Sequence, residues 1–258
     1  MTTAPRPEDL QTLISLSRTL GRPENELVIL AEGNTSLRVA PERMLVKATG
    51  SSLASASADD FVQIELGQFL ELIDDDTAGD DHEVARVFEA ARSWGTKRAS
   101  VEALLHAVCQ QIEGVSVVGH THPVAVNAIL CSGNADALVR GSLFPDQIVV
   151  LGTNPLLVEY TDPGIALART VKCRIAEHIE STGRPPRVIY LANHGMFALG
   201  ASADEVMQIT IMAVKVAKVL LGAFAAGGPV YLDPQSARRI DTRPDEEYRR
   251  AVLRAGQP

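Results

Sequence analysis

The sequence predicts a single α/β domain, and three observations support this interpretation. The length of 258 residues suits one large domain. Hydrophobic residues make up 46% of the chain, which is enough for a substantial core. Segments with helical periodicity alternate with short apolar runs typical of strands, and no internal repeat or Gly/Ser-rich linker divides them.

The N-terminal half alternates between helices and short strands. Apolar residues recur at helical spacing from Leu10 to Leu20, and Gly21 follows as a stop signal. The helices predicted in this half span residues 7–20, 24–30, 82–94 and 100–112, and the strands span residues 37–39, 44–48 and 115–119. Residues 74–81 are acidic and lack periodicity, which indicates a surface loop.

The C-terminal half continues the alternation and ends in a charged segment. Its predicted helices span residues 124–130, 164–179 and 203–224, and its predicted strands span residues 148–151, 156–160, 188–191 and 196–199. Ser202 and Glu205 have the spacing of a capping box at the start of the last long helix. We expect residues 1–232 to form the domain and residues 233–258 a charged tail, with one short helix near 245–254.

The bulk composition argues against several classes of protein. A net charge of −8 disfavours nucleic-acid binding, which needs a basic surface. The three cysteines show no Cys-x-x-Cys spacing and fit a reducing compartment. No apolar signal core begins the chain, and Lys215 and Lys218 interrupt its longest apolar stretch. We therefore expect a soluble, cytoplasmic protein without nucleic-acid or membrane partners.

Two histidines, His120 and His122, end the apolar run of residues 115–119. Alternate side chains of a strand lie on one face, so the two imidazoles are predicted to point the same way. His194 follows a second apolar run far downstream, and the carboxylate of Glu102 lies at a helix start. Three histidines with an open coordination position are typical of a catalytic divalent metal, above all zinc.

Each of these residues also has a purely structural interpretation. A single histidine near a strand end is more commonly exposed or hydrogen-bonded than bound to metal, and Glu102 could simply complement a helix dipole. His106 shares the helix face of Glu102 and is a second candidate ligand, although a core or surface role is more common. The turns at Gly33-Asn34 and residues 49–52 offer amides to an anion, but they lack P-loop or dinucleotide-binding spacing.

Five short motifs that contain these candidate residues follow one another along the chain. They are Gly33-Asn34-Thr35-Ser36, Thr49-Gly50-Ser51, Ser100-x-Glu102-x-x-x-His106, His120-Thr121-His122-Pro123 and Asn193-His194-Gly195. On these motifs the chain resembles the class II aldolase/adducin family over residues 8–225. That family includes fuculose-phosphate and rhamnulose-phosphate aldolases and ribulose-phosphate 4-epimerase. The resemblance implies a three-layer αβα domain around a mostly antiparallel sheet, and a homotetramer whose active sites lie between neighbouring subunits.

The resemblance also implies a metal-dependent mechanism. The matching residues bind a divalent cation, usually zinc, through His120, His122 and His194, while Glu102 acts as acid/base with an expected raised pKa. We therefore expect reversible aldol cleavage of a ketose, in particular a ketose 1-phosphate, through a metal-stabilised enediolate. Decarboxylation, epimerisation and dehydration use the same kind of site and stay open, as does a non-catalytic, adducin-like interaction module.

Four further residues match positions that hold the substrate phosphate in sugar-phosphate aldolases: Asn34, Thr49, Gly50 and Ser100. Val101 stands where those aldolases often carry a second serine, and it offers no hydroxyl to a phosphate. Lys97 or Arg98 is a candidate to supply charge instead. None of the four tyrosines matches the aromatic proton donor that a neighbouring subunit contributes in those enzymes.

Overall fold

An eight-stranded sheet forms the centre of the computed structural model, which describes residues 4–79 and 81–255. Within those residues the strands are β1 (Asn34–Ala40), β2 (Arg43–Lys47), β3 (Phe61–Glu65), β4 (Arg92–Trp94), β5 (Val117–Thr121), β6 (Leu156–Val158), β7 (Val188–Leu191) and β8 (Gly195–Gly200). Their order is β4-β3-β2-β1-β5-β8-β7-β6. Only β6 and β7 pair in parallel, and the other neighbours are antiparallel. The start of the predicted N-terminal segment, one residue of the predicted acidic loop and the end of the tail lie outside the described residues.

Helices cover both faces of this sheet. They are α1 (Pro7–Leu20), α2 (Leu66–Asp74), α3 (Asp81–Ala91), α4 (Ala103–Cys109), α5 (Val124–Leu130), α6 (Pro145–Leu151), α7 (Ile165–Thr182), α8 (Ala203–Ala225), α9 (Pro234–Asp241) and α10 (Pro244–Ala255). One large apolar core joins the sheet to α2, α3, α4 and α7, and a second joins it to α1, α5, α6 and α8. The predicted three-layer αβα arrangement with a mostly antiparallel sheet is confirmed.

The central strands are buried on both faces, because both helical layers need an apolar partner. In β7, Val188 and Tyr190 belong to the core shared with α8, whereas Ile189 and Leu191 belong to the core shared with α4 and α7. This is the two-residue alternation of a strand, with apolar side chains on either side. The same alternation in β5 directs Val118 and His120 towards the layer that contains α4.

Several predicted elements differ from the structure. The strand predicted over residues 148–151 is the C-terminal part of α6, whose first turn contains Pro145. A short apolar run does not distinguish a strand from a buried helix, and Pro145 is the helix-start signal that resolves it. The helix predicted over residues 24–30 is a single 3₁₀ turn, Pro23–Asn25, after which Glu26 adopts left-handed φ.

Other predicted helices end at different residues in the structure, because distant chain segments pair or pack with them. The helix predicted over residues 82–94 ends at Ala91, because the next three residues form β4 against β3. The sequence did not indicate β3 or α2. The predicted helix over 100–112 is confined to α4, with Glu102 just before it. The helix predicted over residues 124–130 matches α5, and the strand over 188–191 matches β7.

Helix α8 is long and apolar enough to cross a membrane by length and composition alone. In the structure its apolar side, including Val206, Ile209 and Val216, packs into the core against β5 and β8. Only half of the predicted capping box forms at its start. The Ser202 hydroxyl accepts from the Glu205 amide at 3.2 Å, but the Glu205 carboxylate binds Arg187 and the Ala201 amide instead.

The charged tail contains α9 as well as the predicted helix, which corresponds to α10. Ala237 and Ile240 of α9 are buried against Ile148 of α6. Asp241 also forms an ion pair with Arg184 at 2.7 Å. The division of the chain after residue 232 stays a prediction.

Two tyrosines in the core beside α8, one fully buried and one partly buried, allow a matched test of what burying a hydroxyl group costs. Tyr190 is fully buried, and its hydroxyl has no hydrogen-bond partner among the described residues, whereas the Tyr231 hydroxyl donates to the Ala137 carbonyl at 2.9 Å. We expect Tyr190→Phe to maintain or raise the free energy of unfolding, because burying an unpaired hydroxyl is unfavourable. Tyr231→Phe should lower it by about 1 kcal/mol. Urea unfolding of both variants tests this, and a larger loss for Tyr190→Phe would contradict it.

Candidate metal centre

Three histidines and one glutamate converge at one end of the central strands. They are Glu102, His120, His122 and His194, and one potential ligand atom from each lies within 4.8 Å of those of the others. The sheet register brings them together, because His120 pairs with Asn34 of β1 on one side and with Phe197 of β8 on the other. The four residues that the sequence predicts for the metal and for acid/base chemistry are therefore adjacent.

His120 is the most constrained member of the cluster. Its Nδ1 lies 3.0 Å from the Met196 carbonyl oxygen, and its ring stacks on Phe197 with centroids 4.2 Å apart. Because a carbonyl oxygen can only accept, Nδ1 carries a proton, so in the neutral ring Nε2 is the nitrogen that has the lone pair. Nε2 is the atom that faces the cluster, as expected of a metal-ligating histidine held by a backbone carbonyl.

His122 follows β5 directly, and its ring approaches the chain at Gly195. A Cβ on Gly195 would lie 2.6 Å from His122 Cδ2, so the glycine of the Asn193-His194-Gly195 motif makes room for the imidazole. His122 Nε2 lies 2.9 Å from His120 Nε2. Burial, with help from the two neighbouring histidines, lowers the pKa of His122 to about 3. The ring is therefore neutral at neutral pH, which is the form that binds a metal.

His194 lies in the tight connection between β7 and β8. Asn193 adopts left-handed φ of 55°, a conformation that asparagine tolerates better than most residues. The Asn127 side chain donates to the His194 carbonyl at 2.9 Å and fixes the turn. His194 Nε2 then lies 3.0 Å from Glu102 Oε1.

Glu102 completes the cluster from the residue preceding α4. Its Oε1 lies 3.2 Å from His120 Nε2, and its Oε2 accepts from the Asn34 side chain. Burial raises the pKa of Glu102, but the charges and hydrogen bonds of His120 and His194 outweigh burial and hold it well below its ordinary value. The expected raised pKa is therefore wrong, because the histidines favour the carboxylate.

His106 is not brought into the cluster. It is fully buried, and its Nδ1 lies 2.8 Å from the Ser36 hydroxyl. Its ring contacts Phe197 edge-on, and burial lowers its pKa to about 3. His106 is thus a neutral core residue on the far side of Phe197.

The donor set fits a divalent cation. Imidazole nitrogens with one carboxylate oxygen are ligands typical of catalytic zinc, and imidazole also suits several other transition metals. Met196 already fixes the tautomer of His120, so at least one nitrogen is prepared for coordination.

Two of the four predicted anion-binding residues, Asn34 and Ser100, contact Glu102, and the other two lie in a turn. Thr49 and Gly50 form an exposed turn, with φ of 73° at Gly50, and the Thr49 amide donates to the Arg98 carbonyl at 2.9 Å. The Ser100 hydroxyl lies 3.4 Å from the Glu102 amide. Asn34 instead contacts Glu102 directly.

Lys47 is a buried cation whose charge interacts with Glu102, and the sequence analysis did not identify it. It is 1% exposed, and its ammonium donates to the Ser51 carbonyl at 2.5 Å and to the Ala31 carbonyl at 3.4 Å. Burial lowers its pKa to about 8, against the opposing effects of Glu102 and Asp60. A lysine in a β-strand usually marks an exposed position. Only knowledge of how the strands pair could have placed Lys47 beneath the turn of Thr49 and Gly50.

The two cations proposed to replace the missing serine hydroxyl differ in the structure. Lys97 forms an ion pair with Asp60 at 2.6 Å, and Asp60 also accepts from Ser51 at 2.8 Å. The Arg98 side chain is exposed and has no hydrogen bond or ion pair with any residue that the structure describes. Val101 is 46% exposed.

Solved structures with similar folds support the architecture. An L-fuculose 1-phosphate aldolase has a TM-score of 0.70 with 19% identity, covering 95% of this chain and 97% of that chain. A putative aldolase/epimerase/decarboxylase, YgbL from Klebsiella pneumoniae, has a TM-score of 0.67 with 18% identity, covering 92% and 100%. An N-terminal class II aldolase domain from Thermoplasma acidophilum has a TM-score of 0.64 with 22% identity, covering 86% and 97%.

A curated relative is named an uncharacterized oxidoreductase, YuxG, from Bacillus subtilis (strain 168). It is 25% identical over 220 residues, which make up 82% of this chain but 29% of the relative. The chain thus spans less than a third of that protein's length.

The sequence-family model described as "Class II Aldolase and Adducin N-terminal domain" matches residues 11–221 of this chain. The match spans most of the chain and includes every residue of the cluster. The chain therefore belongs to the class II aldolase and adducin family.

Proposed function

We propose that this protein is a metal-dependent lyase that reversibly cleaves a ketose, in particular a ketose 1-phosphate, by an aldol reaction. The observation that carries the proposal is the cluster of three histidines and Glu102, whose ligand atoms lie within 4.8 Å of one another. Membership of a family that includes class II aldolases supports the same conclusion.

We assign the metal to His120, His122 and His194, with Zn²⁺ as the preferred ion because of the nitrogen-rich donor set. When bound, a divalent cation supplies Lewis acidity that stabilises the negative charge developing on the carbonyl oxygen. The protein holds the three rings in place through the Met196 carbonyl, the close approach at Gly195 and the Asn127 bond to the His194 turn.

Glu102 is the proposed acid/base. In the condensation direction its carboxylate accepts the proton from the carbon beside the carbonyl group. In the cleavage direction the carbon–carbon bond breaks as the substrate hydroxyl loses its proton to solvent, and Glu102, protonated from solvent, gives its proton to the enediolate carbon. The lowered pKa of Glu102 means that the group is present as the carboxylate, the form that can accept a proton. Asn34 donates to the other carboxylate oxygen and thereby orients it.

We assign the substrate phosphate to the exposed turn of Thr49 and Gly50, together with Asn34 and Ser100. The buried ammonium of Lys47 supports an anion at this turn, since it lies below the turn and binds the Ser51 carbonyl. Arg98 is the proposed second cation, because Lys97 is already paired with Asp60.

The proposal extends to assembly and location. Ile29, Leu30 and Val124 are exposed apolar side chains around a cavity that also contacts His122. Such apolar surface is typical of an interface, which supports a homotetramer with active sites between subunits. The described cysteines are all free thiols, which supports a reducing cytoplasmic environment.

A second candidate activity follows from the similar fold of YgbL, a putative aldolase/epimerase/decarboxylase. Decarboxylation, epimerisation or dehydration would use the same cluster and the same Glu102. An adducin-like interaction module, by contrast, would need no bound metal. Assaying metal content first, and then a panel of ketose 1-phosphates, separates these alternatives.

The first test removes one imidazole. His120→Ala should abolish stoichiometric binding of the divalent metal and lower kcat by on the order of 1000-fold, because several kcal/mol of transition-state stabilisation is lost. Metal analysis of the purified protein and a cleavage assay provide the measurements. The exposed His82 of α3 supplies the control, and His82→Ala should retain both metal and activity. A His120→Ala protein with full metal content would contradict the assignment.

The second test separates proton transfer from metal binding. Glu102→Gln preserves the shape of the side chain but removes its basicity, so kcat should fall by roughly 100- to 10,000-fold. Metal content should be retained, since three histidines remain. Exchange of the substrate's C–H proton with solvent deuterium, followed by NMR, should slow in parallel. Unchanged exchange in this variant would exclude Glu102 as the base.

The third test concerns the phosphate. Arg98→Ala should raise KM for a ketose 1-phosphate by about tenfold, the loss expected for one charge-assisted contact, with no change for the unphosphorylated ketose. Lys97→Ala should have a smaller effect on KM, because Asp60 already holds that ammonium. Equal changes for phosphorylated and unphosphorylated substrates would argue against the anion site.

A further inference from the structure

The second ring nitrogen of His122 faces a carboxylate that neither the sequence motifs nor the proposed function uses. His122 Nδ1 lies 3.8 Å from Oε2 of Glu32. We infer that Glu32 is a positioning residue that orients His122 for metal binding by accepting a hydrogen bond from its Nδ1–H. This inference rests on the proposed metal site and deepens it.

Comparison with His120 supports the need for such a partner. His120 presents Nε2 to the cluster while its Nδ1 is held by the Met196 carbonyl at 3.0 Å. His122 also presents Nε2 to the cluster, 2.9 Å from His120 Nε2. Metal-ligating histidines almost always donate their other N–H to a carboxylate, a carbonyl or water. The Glu32 carboxylate is an acceptor near enough to His122 Nδ1 to serve this purpose.

The Glu32 carboxylate is itself held in place by the backbone. Its Oε2 accepts from the Ile29 amide at 3.0 Å, and the Glu32 amide donates back to the Ile29 carbonyl at 3.0 Å. The side chain is 38% exposed and the His122 side chain 19%. The inference requires these partly exposed side chains to rotate until the 3.8 Å separation shortens to a hydrogen bond.

The loop that contains Glu32 is hydrogen-bonded to the residues that follow β5. The His122 amide donates to the Leu27 carbonyl at 2.9 Å, and the Val124 amide donates to the Glu26 carbonyl at 3.1 Å. The buried Lys47 ammonium reaches the Ala31 carbonyl at 3.4 Å. The loop and His122 are therefore parts of one hydrogen-bonded unit, as a residue that orients a ligand requires.

Affinity for Zn²⁺ alone, measured by competition with a chromophoric chelator, tests this role without an activity assay. Loss of an outer-sphere partner typically weakens metal binding by roughly 10- to 100-fold, and we expect that range for Glu32→Ala. Glu32→Gln keeps an acceptor oxygen and should recover most of the affinity. Thermal unfolding of the metal-free proteins should show similar midpoints, because Glu32 is partly exposed.

Glu26 supplies a matched control in the same loop and cavity. Its carboxylate lies 3.7 Å from the Lys218 ammonium, so Glu26→Ala removes the same charge without removing the acceptor near His122. The Zn²⁺ affinity of Glu26→Ala should stay within about twofold of the wild-type value. A loss equal to that of Glu32→Ala would mean that removing any nearby negative charge weakens metal binding, and it would overturn the inference.

The remaining outcomes separate the two proposals. Equal Zn²⁺ affinity in the wild-type protein and Glu32→Ala would overturn the positioning role while leaving the metal site intact. A wild-type protein that binds no divalent metal would instead overturn the proposed function itself.

Discussion

The antiparallel pairing of β5 with β8 is the constraint on which the site depends. It sets Thr121 opposite Met196 and His120 opposite Phe197, so the Met196 carbonyl can hold the His120 ring. The adjoining β7–β8 turn then delivers His194 beside the same strand end. A slip of one residue would move every side chain of β5 to the other face, away from Glu102. The register of two buried strands therefore fixes three of the four groups in the cluster.

Close approach of the backbone reinforces that register. A Cβ at Gly119 would meet Val206 of α8 at 2.7 Å, and one at Gly195 would meet His122 at 2.6 Å. The first glycine lets α8 pack directly on β5, and the second lets an imidazole lie across β8. Packing on one face of the sheet and ligand geometry on the other thus rely on the same two adjacent strands. Changes that disturb the α8 core are expected to reach the histidines through the backbone of β5.

The sequence could predict the parts of the site that follow from local periodicity. Strand alternation places His120 and His122 on one side, and the apolar run before Asn193 identifies β7 with its observed bounds. Contacts that depend on distant pairing could not be read in this way. Lys47 and Glu32 acquire their surroundings from strand register and from a loop with left-handed φ at Glu26 and Leu30. The raised pKa expected for Glu102 follows from burial alone, whereas the hydrogen bonds from His120 and His194 that lower it depend on how distant strands pair.

Under the proposed function, the charge of Lys47 is a reason why one missing hydroxyl need not abolish phosphate binding at the turn of Thr49 and Gly50. Val101 contributes no donor, but Lys47 has a pKa of about 8 and stays largely charged at neutral pH. Its burial keeps water from screening this charge, and its bond to the Ser51 carbonyl fixes it below Thr49 and Gly50. Asp60 offsets part of that field, although Lys97 in turn neutralises Asp60. The Glu102 carboxylate offsets a further part, so under the proposed function the Lys47 ammonium and the exposed Arg98 are the groups that would balance a phosphate dianion.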